Sequence, residues 1–161
     1  MFLARRGDGR SQAAGVTLLE MLVTIAVLLI LTSVAVPSAR FAVKRQKELE
    51  LRRALRDMRQ AIDEYKRYCD TGLIVKEGVD SECYPTEIEV LVEGVDKVGT
   101  VGQKVKFLRR IPFDPFMRSQ EWGKRSYQDD WDSNSWGQEN VYDVYTTYEG
   151  TALDGTEYSD W

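Results

Sequence analysis

The sequence predicts an α+β protein: one long N-terminal helix, apolar first and amphipathic after, packed on a small C-terminal antiparallel β-sheet in a loop-rich head. Three observations lead there. Residues 16–36 (VTLLEMLVTIAVLLILTSVAV) are apolar throughout except for small hydroxyls and one acid. Leu51, Leu55, Met58, Ile62 and Tyr65 then recur at steps of four and three, the stripe of a helix with one buried face. After residue 68, short runs such as Val141–Tyr145 are separated by Gly, Pro, Asp and Asn, which suits short strands and turns. The length, 161 residues, fits one soluble domain with accessory segments. The boundaries fall at 1–15 (leader), 16–36 (apolar helix), 37–68 (amphipathic stem) and 69–161 (head).

The apolar run would rise about 31 Å as a helix, enough to cross a hydrocarbon core. Arg5, Arg6 and Arg10 precede it, so the positive-inside rule keeps the N-terminus in the cytoplasm and sends the head outward. A secretory signal would have a shorter apolar stretch with its small-residue cleavage site behind it. Here the small residues Ala13-Ala14-Gly15 come in front, so a cut there removes the basic leader and leaves the helix on the mature chain. A plain signal anchor accounts for length and orientation equally well, but not for Glu20. A carboxylate costs about 2.5–3.5 kcal/mol at the bilayer centre and less near an interface, and it calls for a partner. Cleavage after Gly15 would supply one, the new α-amine of Val16. That amine lies one turn away in the same chain, or directly against Glu20 from a neighbouring subunit, where the pair would set register.

Pro37 lacks a backbone donor and its ring clashes with the preceding turn, so it should kink or interrupt the helix. The stem beyond is basic: residues 40–67 hold ten Lys or Arg against five acids, whereas residues 126–161 hold nine acids and no base. These charges read either as solvated faces or as the basic stem of one subunit meeting the acidic tail of another. In the head, residues 70–102 read as a loop, with a short helix at 86–91 capped by Thr86. Strands are expected at 126–128 and 141–145, joined by a loop rich in Trp, Asp, Ser and Asn.

Cys69 and Cys83 would be free thiols in the cytosol and could pair after export. Pairing would close a loop of about 15 residues and add roughly 3 kcal/mol by the chain-entropy estimate. The chain has no His, which removes the commonest general base and the Ser/His/Asp set. No phosphate-cradling Gly motif occurs, and the adjacent Asp129 and Asp130 suit a solvated loop better than a glycosidase dyad. The composition therefore argues against an enzyme. A nucleic-acid binder is not expected either. Of the net charge of −4, the leader contributes +2, so the remainder is −6. The Trp and Tyr residues of the head either bind a ligand or, more simply, pack a domain short of aliphatics.

The stretch Ala14-Gly15-Val16-Thr17-Leu18-Leu19-Glu20, behind a basic leader and heading an apolar helix, resembles the type III signal of type IV prepilins and pseudopilins. The resemblance implies that a prepilin peptidase cuts after Gly15 and methylates Val16, a position where the family usually has Phe. It also implies that Glu20 serves assembly, and that Pro37 stands where the family's helix is often kinked or melted. The head is similar, by less specific motifs, to the major pseudopilin of the type II secretion system. The matching pieces are Ile111-Pro112-Phe113-Asp114-Pro115, Tyr142-Asp143-Val144-Tyr145, Ala152-Leu153-Asp154-Gly155 and Asp160-Trp161. That family binds calcium in its C-terminal loop, so the resemblance implies calcium here. The candidate ligands are Asp154, Glu157 and Asp160, with Leu153 through its carbonyl. A solubilising acidic tail is the plainer alternative.

The resemblance thus implies a subunit stored in the bacterial inner membrane, head in the periplasm, that polymerises with itself. Its partners would be the prepilin peptidase, an inner-membrane assembly platform and minor pseudopilins. The alternatives are a type IVa or minor pilin of a surface fibre and, from another class, a membrane-anchored ligand-binding domain that does not assemble.

Overall fold

A computed structural model describes residues 15–78, 81–100 and 102–161. The leader readings on residues 1–14 lie outside the described residues. Helix α1 runs over Leu18–Asp70, 53 residues, and the chain divides into two units, Met1–Phe41 and Ala42–Trp161.

In the first unit, every described side chain from residue 15 on is exposed. α1 is long and apolar enough here to cross a membrane. The helix continues through Pro37, so the expected interruption does not occur in the single chain. One missing donor does not end a helix that has good formers on both sides.

In the second unit, the stripe read from the sequence is the core face of α1. Leu51, Met58 and Tyr65 are fully buried, and Leu55 and Ile62 nearly so, against Leu91, Val141, Val144 and Tyr158. The helix ends in a Schellman turn. Gly72, at φ 71°, takes the left-handed position, its N–H donates to Cys69 O and the Leu73 N–H reaches back to Tyr68 O. Cys69 and Cys83 form a disulfide with their Cα atoms 5.5 Å apart, tying the end of α1 to the loop that follows.

The head carries two small antiparallel ladders. β1 (Val95–Asp96) pairs with β2 (Lys104–Val105), inside and just beyond the stretch expected to be loop. β3 (Gly123–Arg125) pairs with β4 (Asp143–Tyr145) in the register Gly123↔Tyr145, Lys124↔Val144 and Arg125↔Asp143. β4 falls where a strand was expected, whereas β3 lies three residues before its expected place. Residues 126–128 instead form a turn: the Ser126 N–H donates to Asp129 Oδ2 (2.7 Å), and the Tyr127 N–H donates to Asn140 Oδ1 (2.9 Å). The short helix α2 is Glu89–Glu93 with Ile88 at its N-cap and no side-chain cap, so Thr86 does not play that part. The Val141 N–H bonds Pro85 O (2.7 Å) and so commits the approach to α2 to β4's side. A 3₁₀ turn at Tyr158–Asp160 closes the described chain.

The aromatic residues mostly pack. Trp122 is buried with its indole N–H on Pro112 O, and Trp136 is half-buried with its N–H on Asn140 O. Trp161 stands edge-on to Tyr158, while Trp131 is 81% exposed.

Candidate functional site

The N-terminal site starts at Gly15, which has open space around its Cα: a Cβ there would meet nothing within 4 Å. Val16 and Glu20 are exposed. Thr17 is the N-cap of α1, its Oγ1 accepting the Glu20 N–H at 3.2 Å. With Glu20 three residues on, this is the Ser/Thr-x-x-Glu pattern of a capping box, and a carboxylate in the first turn suits the positive end of the helix dipole. The bond shown uses the Glu20 backbone N–H, so Thr17 is the cap, while the Glu20 carboxylate stands exposed in the first turn. The sequence reading singled out Glu20 by its membrane cost but passed over Thr17, although Thr17 and Glu20 at that spacing ahead of an apolar run carry the signal.

Geometrically, this site offers a protein-processing enzyme an accessible Gly–Val bond beside a helix start. Beyond it, the described apolar side chains from Val16 to Val36 are all exposed. Val16, Leu18, Leu22 and Ile30 are each at least 60% exposed.

The C-terminal site is built differently. Asp154 lies in the loop between Thr151 and Glu157, which form an isolated antiparallel bridge. Its Oδ1 accepts from the Thr156 N–H (3.0 Å) and hydroxyl (2.6 Å), and its Oδ2 accepts from Arg52 (2.9 Å). The Thr156 hydroxyl and amide first, then Arg52, hold this carboxyl below the ordinary range. The Leu153 N–H donates to Glu48 Oε1 (2.8 Å), while Glu157 and Asp160 are exposed. Calcium needs six to eight converging oxygens. Among the described residues, no three acidic, Cys or His side chains gather in one place, and the Asp154 carboxylate is already engaged on both oxygens. In this arrangement the Asp154 carboxylate is turned to Thr156 and Arg52, and Glu157 and Asp160 stand exposed.

The basic stem and the acidic tail, read as possible partners between subunits, meet within one chain. Arg52 pairs with Asp154, and Arg59 pairs with Asp143 (2.6 Å). The sequence reading also quoted Asp114 only as part of a motif. The structure makes it the buried anchor of its loop: its carboxylate accepts the Phe116 and Met117 N–H groups and the Thr146 hydroxyl. Asp followed by Pro was the available signal for such a turn.

The prokaryotic N-terminal methylation motif matches residues 10–36. No curated protein and no solved structure matches the chain. The motif covers the accessible Gly15–Val16 bond, the capped helix start, Glu20 and the exposed apolar surface. It supports a type IV pilin-like protein, processed at its N-terminus and assembled into a filament: a structural subunit, not an enzyme.

Proposed function

We propose that the chain is a structural subunit of a type II secretion pseudopilus. The observation that carries the reading is the motif-bearing apolar helix, exposed at every described side chain from residue 15 to 43. That surface must be covered, at about 25 cal/mol per Å² of apolar area removed from water. Lipid covers it first, with the N-terminus cytoplasmic and the head periplasmic. A prepilin peptidase then cuts after Gly15 and methylates Val16. An inner-membrane platform and minor pseudopilins bring subunits together, and the helices of neighbouring copies replace the lipid.

In this reading the Glu20 carboxylate receives the Val16 amine of the next subunit, an ion pair strengthened by its apolar surroundings. Pro37 marks a place where α1 can yield during assembly. The Cys69–Cys83 disulfide suits an oxidising compartment. The C-terminal carboxylates are given no calcium role, because Asp154 is already paired with Arg52.

The test is Glu20→Ala in the native host. Processing should continue, while incorporation into sedimentable filaments falls by tenfold or more (about 1.4 kcal/mol per tenfold). Deleting the gene should abolish export of secreted proteins and leave surface fibres intact. Loss of surface fibres with normal export would assign the chain to a pilus instead.

A further inference from the structure

We propose that the guanidinium groups of Arg52 and Arg59 hold the C-terminal segment onto α1 in place of a divalent cation, so that the head closes without calcium. Four polar side chains on α1 grip this segment: Lys44, Glu48, Arg52 and Arg59. The first three follow one another at steps of four, on one helix face. Lys44 Nζ donates to Thr151 O (2.6 Å). Glu48 Oε1 accepts the Leu153 N–H and the Tyr158 hydroxyl (2.9 Å). Arg52 donates to Asp154 Oδ2 and places its guanidinium carbon 3.9 Å from the centre of the Trp161 ring. Arg59 donates through Nε to Asp143 Oδ1, and through Nη2 to Val144 O (3.2 Å) and Trp161 O (2.6 Å).

The atoms served are two carboxylates and three backbone carbonyls, the oxygen types a hard cation collects. Here the positive charge is covalently part of the stem. A guanidinium stays charged at any working pH and presents several donors in a fixed plane, so one Arg can serve a carboxylate and a carbonyl together. Trp161 adds a ring face to which Arg52 is attracted. Asp154 is meanwhile held from its other side by Thr156, so most of its acceptor positions are already taken by groups of its own chain. All of these residues belong to the unit Ala42–Trp161, so the inference stands whether or not the chain polymerises.

The experiment uses the full mature chain in detergent micelles, in calcium chloride or in chelator. It reads thermal unfolding and amide exchange of the peptide covering residues 150–161. For the unaltered chain, the two conditions should give melting temperatures within about 1 °C and the same exchange. Arg52→Gln should speed exchange of the C-terminal peptide by roughly threefold to tenfold in both conditions. Arg53→Gln, its neighbour with no bond to that segment, should leave exchange unchanged. Arg59→Gln should act like Arg52→Gln; if it does not fold, Arg52→Gln, at a half-exposed pair, carries the test. Calcium raising the melting temperature of the unaltered chain by several degrees would overturn the proposal. So would unchanged C-terminal exchange in Arg52→Gln.

Discussion

Tyr65 and Asp114 are both fully buried polar residues, and the head treats them in opposite ways. Among the described residues the Tyr65 hydroxyl finds no hydrogen-bond partner, and burial, with a smaller effect from Glu77, pushes its pKa up to about 12. Removing an unsatisfied hydroxyl costs nothing, so Tyr65→Phe should leave stability unchanged or raise it by up to about 1 kcal/mol in urea unfolding. Asp114 is fully engaged, and Asp114→Ala would strand two N–H groups and a hydroxyl, lowering stability by about 2–3 kcal/mol in the same assay. Asp129 gives a pH effect. The Ser126 N–H, with help from Gly137, holds its carboxyl below the ordinary value of 3.8. Its folded pKa is thus lower than its unfolded one, so its contribution is present above that ordinary value and is lost as pH falls through the folded value. Amide exchange in the turn at residues 126–137 should rise on acidification, and Asp129→Asn should flatten that rise. These residue-level roles were only partly legible in the sequence. Asp114 followed by Pro signals a turn, but nothing local says that its carboxylate is buried beneath Thr146, thirty-two positions away.

The long helix was legible because its signal is long: a five-residue stripe that holds the helical period ends up almost wholly buried. Of the strands only β4 could be placed from its run at 141–145; the others span two or three residues, too few for an alternation to register. Gly123-Lys124-Arg125 has no apolar residue at all. Its pairing depends on partners elsewhere: Lys124 on Glu87 and the Trp136 ring, Arg125 on the Tyr145 ring, and Gly123 on the space beneath Tyr145. A Cβ at position 123 would overlap that ring, so Gly123→Ala should cost about 1–3 kcal/mol as the ring or the ladder moves, measured by thermal unfolding. The disulfide acts at the same scale, closing residues 69–83 onto the end of α1. Reducing it should lower stability by roughly 3 kcal/mol, read as a shift of the urea midpoint in dithiothreitol. The charge asymmetry between stem and tail was plain in the composition, but composition does not say whether opposite charges meet within a chain or between chains. The geometry answers for Arg52 and Arg59, which find their acids in the same chain.

For the whole molecule, the division at Phe41 separates two kinds of chemistry. Ala42–Trp161 buries its own core, whereas the described residues before it bury nothing and expose Leu, Ile and Val side chains at every turn. A chain built this way leaves an apolar surface for something else to cover, and the methylation motif sits at the head of that part. This much was legible early, because a leader, a Gly, a Glu at fixed spacing and an apolar run form a local pattern that requires no tertiary contact. The C-terminal loop was not. Its partners, Lys44, Glu48 and Arg52, lie about a hundred positions earlier, so its acids read as a candidate ligand cluster or as an acidic tail. The central claim, that this is a processed filament subunit, rests on the Gly15–Val16 bond. Intact mass and N-terminal sequencing of the membrane-extracted protein, from cells with and without a prepilin peptidase, test it most directly. The expected result is a chain beginning at Val16 with one added methyl group, seen only when the peptidase is present; an intact Met1 start in both strains would contradict it.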